Sequence, residues 1–146
     1  MEADLQAYKR ILVPFDGSAG STDALRRALM LAKEQGATVT AFSVNEAPPR
    51  YAPGVGEVGE EDALRSAYFA GLRDRALAIA SEQGLAVTTE GAVGHAAQAI
   101  IAKAKEGGFD LIAIGHSGHS GLWGTLLGST AARVVEHAPC DVLVVR

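Results

Sequence analysis

Hydrophobic residues along the chain alternate between short continuous runs and longer stretches in which apolar positions recur with a helical period. Continuous apolar runs rich in β-branched residues are typical of parallel strands buried on both faces. Such runs predict strands at residues 11–13, 39–44, 111–114 and 142–145. A more polar run at residues 86–92 fits a fifth strand, at the edge of a sheet.

Four stretches between these runs place apolar residues on one face of a helix. In the first, Leu25, Ala28, Leu29 and Ala32 follow the spacing i, i+3, i+4, i+7, and Gly36 then provides a helix end. The other predicted helices carry Leu64, Tyr68, Leu72, Ala76 and Ile79; Ala97, Ile100, Ile101 and Ala104; and Ala131, Val134, Val135 and Ala138.

The order of these elements predicts an α/β fold: a single doubly wound domain over residues 1–146, with a five-stranded parallel sheet and two helices on each face. In such a sheet ligands bind beyond the C-terminal ends of the strands, where the winding direction reverses. Only residues 47–62, APPRYAPGVGEVGEED, interrupt the alternation. Their prolines and glycines and their lack of a period predict a long mobile loop.

Composition narrows the classes of function. The chain has 146 residues, of which 48% are hydrophobic and 21% charged, and a net charge of −4. This acidic balance argues against nucleic acid as a partner, because phosphate backbones are bound by concentrated Lys and Arg. No apolar run reaches about 18 residues and the N-terminus is polar, so we expect a cytoplasmic protein without membrane insertion. The single Cys140 excludes an internal disulfide.

The loop after the strand at 111–114 carries the clearest chemical signal. It begins GHSGHSG at residues 115–121, and the next helix begins at Gly128, Ser129 and Thr130. Glycines let backbone N–H groups approach a ligand, and a helix N-terminus favours an anion. The pattern predicts a phosphate cradle built without lysine. A glycine-rich turn followed by a serine N-cap is the alternative interpretation.

The spacing Gly115-x2-Gly118-x9-Gly128-Ser129 resembles the nucleotide-binding signature of the ATP-binding branch of the universal stress protein family. The segments VPFDGS at residues 13–18 and HAPCDVLVV at residues 137–145 are also similar to that family, so the resemblance covers nearly the whole chain. It implies the strand order 3-2-1-4-5. It also implies an ATP ligand, or another adenine nucleotide, with Mg²⁺ bound through its phosphates.

The resemblance further implies a role for individual positions. Asp16 would accept hydrogen bonds from ribose hydroxyls, or else cap the following helix, and the backbone of Val44 would meet the adenine edge. Phe15 stands where smaller residues are common and would narrow the adenine side, while Gly94 would line the pocket or form a turn. Gly115, Gly118, Gly128, Ser129 and Thr130 would hold the phosphates, and Pro14, Ile114, His116 and His119 complete the predicted site.

Several short motifs resemble other sites without the context those sites require. Residues 54–59 match G-x-G-x-x-G but lie in the predicted loop rather than directly after a strand. Residues 115–119 resemble a nucleophile elbow, but His119 replaces its last glycine. His116 and His119 also satisfy H-x-G-H, a nucleotidylyltransferase string that there follows the first strand. They could bind a metal if a third ligand converged; polar loop residues near a phosphate are the favoured interpretation.

The sequence therefore favours a cytoplasmic ATP-binding protein of the stress response, whose nucleotide state modulates its dimer or partner contacts. A slow ATPase or a protein that phosphorylates itself is the alternative, and a nucleotidylyltransferase on His116 and His119 ranks lower. Residues available for self-phosphorylation are Ser117, Ser120, Ser129 and Thr130.

The C-terminal strand predicts a homodimer. Residues 142–145 are apolar on both faces, and the resemblance places this strand at a sheet edge, where exposed apolar strands aggregate unless they are covered or paired. Antiparallel pairing of residues 141–146 about a two-fold axis would place Asp141 near the partner chain's C-terminal arginine. The alternative is that the preceding helix or the N-terminal tail covers the edge.

Overall fold

A computed structural model describes residues 6–46, 57–117 and 126–146 of the chain. Strands and helices alternate throughout these residues, as the sequence predicts. The elements in chain order are β1 (Arg10–Pro14), α1 (Ala19–Gln35), β2 (Thr38–Asn45), α2 (Glu57–Glu82), β3 (Thr88–Val93), α3 (Ala96–Glu106), β4 (Leu111–Gly115), α4 (Ser129–His137) and β5 (Asp141–Val145).

The five strands form one sheet in the order β3-β2-β1-β4-β5, and each neighbouring pair is parallel. This confirms the predicted strand order. The polar strand β3 lies at one edge, where its mostly exposed residues face water, and β5 lies at the other. The winding direction reverses between β1 and β4, so the C-terminal ends of these two strands define the expected ligand crevice.

Alternation along the strands divides the core into two layers. Ile11 and Val13 on β1 point towards α1 and α2, whereas Leu12 points towards α3 and α4. All three side chains are fully buried, as expected for a central parallel strand. The predicted arrangement with two helices on each face is therefore confirmed.

Helix α1 follows its sequence signals closely. Ser18 is the N-cap and its side chain accepts a hydrogen bond from the Ser21 N–H at 3.2 Å. Gly36 ends the helix in the left-handed conformation, with φ of 73°. The predicted face, Leu25, Ala28, Leu29 and Ala32, is buried against the sheet.

The predicted boundary between loop and helix before β3 is wrong. Helix α2 begins at Glu57, so the last residues of the predicted loop at 47–62 are helical. Glu60 and Glu61 fall in the first turns, where carboxylates interact favourably with the helix dipole and offset the roughly 1 kcal/mol that a glycine such as Gly59 costs inside a helix. Residues 47–56 lie outside the described part of the chain.

Two predicted apolar faces are buried over less of their length than expected. On α2 the buried side chains begin at Leu72, while Leu64 is 71% exposed and Tyr68 is 38% exposed. On α4 Val134 is fully buried but its neighbour Val135 is 46% exposed. Periodicity identifies the apolar side of a helix but not how far the sheet extends beneath it. Within the described ranges, no helix has the length and apolar character needed to cross a membrane.

Candidate functional site

A cleft of about 470 Å³ opens at the C-terminal ends of β1, β2 and β4, in the crevice that the topology predicts. Its volume falls in the range of small-molecule sites. Its described wall consists of Pro14, Phe15, Asp16, Ser18, Ser21, Phe42, Val44, Glu46, Tyr68, Ala96, Ile100, Ile114, Gly115, His116, Ser117, Gly128, Ser129, Thr130 and Ala131.

The structure brings most of the predicted site residues together in this wall. Gly94 is an exception: it ends β3 with φ of 147°, its N–H donates to the Asn45 carbonyl at 3.1 Å, and it does not line the cleft. It therefore forms the turn that was the alternative. Gly118 and His119 lie outside the described residues. The predicted residues that line the cleft are Pro14, Phe15, Asp16, Val44, Ile114, Gly115, His116, Gly128, Ser129 and Thr130.

Asp16 shapes the turn between β1 and α1. Its Oδ1 accepts the N–H of Ser18 at 2.9 Å, and its own N–H donates to Ser21 Oγ at 3.3 Å. Capping of α1 falls to Ser18, so the capping role considered for Asp16 is wrong. The Asp16 carboxyl group instead lines the cleft directly beyond the central strand.

Phe15 does not narrow the cleft in the way the sequence predicts. It is 2% exposed, and its ring belongs to the core layer beneath α1 and α2. Phe42 and Val44 face the opposite layer. Strand alternation therefore turns the Phe15 ring away from the side on which Val44 lies.

The backbone of Val44 faces the cleft for a simple geometric reason. The ladder between β1 and β2 ends at the pair Pro14 and Phe42, with a last bond from the Phe15 N–H to the Phe42 carbonyl at 2.8 Å. Since backbone groups alternate in direction along a strand, the N–H and C=O of Val44 point to the same side as those of Phe42. They project beyond the end of the β1 ladder, where they can meet a ligand edge.

The backbone of the loop between β4 and α4 is fixed at both ends. The His116 N–H donates to the Val145 carbonyl at 2.7 Å, and the His116 carbonyl accepts the Gly128 N–H at 2.8 Å. The Gly128 N–H is thus already used within the chain, so this group is not free to donate to a phosphate. The first bond inside α4 runs from Ala132 to the Gly128 carbonyl at 2.8 Å. The N–H groups of residues 129–131 precede that bond and need partners from outside the helix.

Gly115 allows a close approach between two backbones. A Cβ added to Gly115 would lie 2.7 Å from the Gly20 carbonyl carbon, and one added to Gly20 would collide with the Ser117 carbonyl oxygen. The missing side chains let the first turn of α1 pack directly on the end of β4. Gly115 therefore has a packing role in addition to any contact with a ligand.

Three helix N-termini face the cleft, and their partners differ. Ser18 caps α1, while Glu46 Oε1 accepts the first N–H of α3, on Ala96, at 2.8 Å. Gly128 at the start of α4 offers no side chain as a cap. Among the described residues, α4 therefore presents the one N-terminus at the cleft whose first N–H groups no side chain accepts. A bound anion would be stabilised there most strongly.

Sequence reasoning missed Glu46 and Tyr68. Glu46 lies 50 positions before Ala96, whose N–H it accepts, so no local sequence motif predicts this contact. Tyr68 was assigned to a core face, yet it lines the cleft from α2. Burial raises the pKa of the Tyr68 phenol above its ordinary value, and the negative charge of Asp16 raises it further.

Charged groups in the described wall are mainly acidic. Asp16 and Glu46 carry carboxylates, His116 is 8% exposed, and no Lys or Arg belongs to that part of the wall. The described residues contain no group of three or more His, Cys, Asp or Glu side chains arranged to hold a metal ion. Any anion in this cleft would depend on backbone N–H groups and hydroxyls.

Comparisons with known proteins agree with this architecture. A model of the universal stress protein family matches residues 7–146. A universal stress protein of Methanocaldococcus jannaschii is 37% identical over 142 residues, covering 95% of this chain and 82% of the relative. The solved structure of UspA from Lactobacillus plantarum is 31% identical, with a TM-score of 0.82 over 97% of this chain and 100% of that one. A universal stress protein solved in complex with cAMP is 28% identical, with a TM-score of 0.69 over 97% and 99% of the two chains.

Proposed function

The chain belongs to the universal stress protein family, and we propose that it is an adenine-nucleotide-binding regulator whose ligand is ATP. The observation that carries this proposal is that no side chain of the described residues accepts the first N–H groups of α4, in a cleft where α1 and α3 are capped. Phosphates bind at the N–H groups of residues 129–131, assisted by the hydroxyls of Ser129 and Thr130.

The order of the strands gives the ligand a direction. Crossing the sheet from α4, a ligand passes the end of β4, then Asp16 beyond β1, then Val44 on β2. With the phosphates at α4, the sugar lies above Asp16 and the base reaches the backbone of Val44. A universal stress protein solved in complex with cAMP supports an adenine nucleotide as the ligand.

In this proposal Mg²⁺ binds together with the phosphates of the nucleotide. Asp16 and Glu46 already accept backbone hydrogen bonds in turns on the sugar and base side of the cleft. Mg²⁺ commonly binds through one or two carboxylates together with substrate phosphates. Here its role would be to neutralise phosphate charge at a site whose described wall lacks Lys and Arg.

Dimerisation through β5 provides a route from nucleotide to partner contacts. The strand lies at a sheet edge, and its middle residues 142–144 are half-buried. Val145 connects it to the cleft, since its carbonyl accepts the His116 N–H. Asp141 already accepts the Tyr8 hydroxyl at 2.7 Å, so an intermolecular pair with Arg146 would compete with this bond.

Binding is tested by denaturing the purified protein, identifying any released nucleotide by chromatography, and titrating ATP with Mg²⁺ by calorimetry. The proposal expects saturable binding of ATP at one site per chain. No heat and no retained nucleotide up to millimolar ATP would contradict it. Phosphate release measured on the same samples tests the alternative of slow hydrolysis.

The dimer is tested by light scattering on the unaltered protein and on Val144→Pro. Proline removes a ladder donor in the middle of β5, so the variant should yield monomer or aggregate. An unaltered protein with the mass of one 15.1 kDa chain at micromolar concentration would contradict the dimer.

A further inference from the structure

Tyr68 occupies an unusual position on α2. The N-terminal half of this helix extends beyond the core: no described side chain before Leu72 is buried, and Leu64 is 71% exposed. Tyr68 nevertheless lines the cleft, whereas Leu64, one turn earlier on the same face, does not. Contact with the cleft is therefore a property of this tyrosine rather than of the helix face as a whole.

The phenol hydroxyl of Tyr68 stabilises no contact within the described part of the chain. Its ring packs edge-on against Phe69, with centroids 5.4 Å apart and planes at 68°. None of the hydrogen bonds among the described residues uses its hydroxyl, in contrast to the Tyr8 hydroxyl, which donates to Asp141. Partial burial and then the negative charge of Asp16 raise the phenol pKa above its ordinary value, so the hydroxyl keeps its proton at neutral pH.

Tyr68 and Asp16 both line the cleft, and they are near enough for the negative charge of Asp16 to act on the phenol. Asp16 follows the central strand β1, between Val44 on β2 and Gly115 on β4. The inference rests on the proposed function here, because a nucleotide with its phosphates at α4 places its sugar at this point. A carboxylate and a phenol then flank the sugar hydroxyls, one as an acceptor and the other as a donor or acceptor.

We propose that Tyr68 is a specificity-determining residue that packs on the nucleotide sugar and forms a hydrogen bond with one of its hydroxyls. The cleft then selects ribonucleotides over deoxyribonucleotides. A bound nucleotide would cover the phenol, so a deoxy analogue would leave the covered hydroxyl without a partner; sites built to pair with a ligand hydroxyl discriminate against analogues that lack it.

The test measures the affinity of ATP, 2′-deoxy-ATP and 3′-deoxy-ATP, each with Mg²⁺, by calorimetry. The proteins compared are the unaltered chain, Tyr68→Phe, Tyr68→Ala and the matched control Leu64→Ala on the same helix. The unaltered chain should bind ATP about fivefold more tightly than one of the deoxy analogues. Tyr68→Phe should weaken ATP about fivefold and remove this preference, while Leu64→Ala should bind like the unaltered chain. Tyr68→Ala should weaken all three ligands, because it also removes the packing surface.

The outcomes separate this inference from the proposed function. Failure of the unaltered chain to bind ATP overturns both. If ATP binds normally and Tyr68→Phe keeps the preferences of the unaltered chain, only the role of Tyr68 is overturned, even if Tyr68→Ala binds weakly. A second readout is the ultraviolet titration of tyrosine: saturating ATP should raise the Tyr68 pKa further, and the difference should vanish in Tyr68→Phe.

Discussion

The N-termini of α3 and α4 face the same cleft but differ in whether a described side chain caps them. Glu46 caps the first with a carboxylate from the same chain, whereas at the second no side chain within residues 6–46, 57–117 and 126–146 accepts the N–H groups of residues 129–131. Both helices carry a positive N-terminal dipole of similar strength. A helix N-terminus is therefore available to a ligand anion only where no anionic side chain of the protein already caps it.

The largest expected effect comes from closing the open end of α4. Ser129→Pro removes the first N–H of the helix, and proline is tolerated at this position because that N–H makes no helical bond. Gly128 has φ of −58° and ψ of 152°, which suits a residue before proline. We expect ATP affinity to fall about tenfold or more, since hydrogen bonds to charged groups are strong.

Ser129→Ala is the matched control, because it removes the hydroxyl and keeps the N–H. Calorimetric titration of both variants should show the larger loss for Ser129→Pro. Equal affinities for the two variants would mean that the backbone at the start of α4 does not hold the phosphates, and the difference between α3 and α4 would lose its functional meaning.

The next effect concerns the packing that supports the β4 end of the cleft. Gly20→Ala would force a Cβ into the Ser117 carbonyl, and we expect the free energy of unfolding to fall by about 1–3 kcal/mol. Gly71→Ala is the control: its Cβ would meet nothing within 4 Å, and better helix propensity should stabilise α2 by up to about 1 kcal/mol. Urea denaturation distinguishes the two, and equal stabilities would refute the close-approach explanation.

A smaller effect is expected from removing the side chain that caps the N-terminus of α3. Glu46→Ala removes the acceptor of the Ala96 N–H and should lower the free energy of unfolding by about 1 kcal/mol. Glu46→Gln keeps an acceptor oxygen but removes the charge, so it should cost less stability. Both should bind ATP slightly more tightly at low salt, because one negative charge leaves the cleft, and the gain should fade as salt increases. Weaker binding would indicate that Glu46 contacts the ligand.

The smallest effect is the contribution of Tyr68 to alkaline stability. Its pKa is raised above 10.0 in the folded protein by burial and then by Asp16, so folding favours the protonated phenol. This contribution is complete below pH 10 and is lost as the pH rises through the folded pKa. As the pH rises above 10 the unaltered chain should therefore lose stability more steeply than Tyr68→Phe, as measured by urea midpoints. The same dependence of the urea midpoint on pH in both proteins would contradict the raised pKa of Tyr68.

Sequence patterns predicted the fold well because they report local periodicity. Continuous apolar runs located the central strands, and Gly36 and Ser18 marked the ends of α1 through backbone geometry that needs no distant partner. The start of α2 was misplaced because prolines and glycines upstream outweighed the acidic residues from Glu57 onwards in the sequence reading. Exposure of Leu64 depends on the extent of the sheet, which no local window contains.

The candidate site was predictable only in part. Gly115, Gly128 and Ser129 were identified from their spacing, and the structure places all three in the cleft wall. Their separate tasks were not predictable. The Gly128 N–H donates to the His116 carbonyl, and the missing side chain at Gly115 lets the Gly20 backbone pack against it. Part of the glycine pattern therefore serves packing within the chain.

The order of strands and helices, the two-faced burial of β1 and the glycine-rich loop after β4 could be read from the sequence alone. These follow from side-chain periods and from residues whose backbone preferences act within a few positions. The capping of α3 by Glu46 and the place of Tyr68 in the cleft wall required the folded structure. Glu46 bonds Ala96, 50 positions away, and Tyr68 lines the same cleft as Asp16, from a helix that follows it by about 50 positions. Such contacts arise when the strands align their C-terminal ends, which no local pattern encodes.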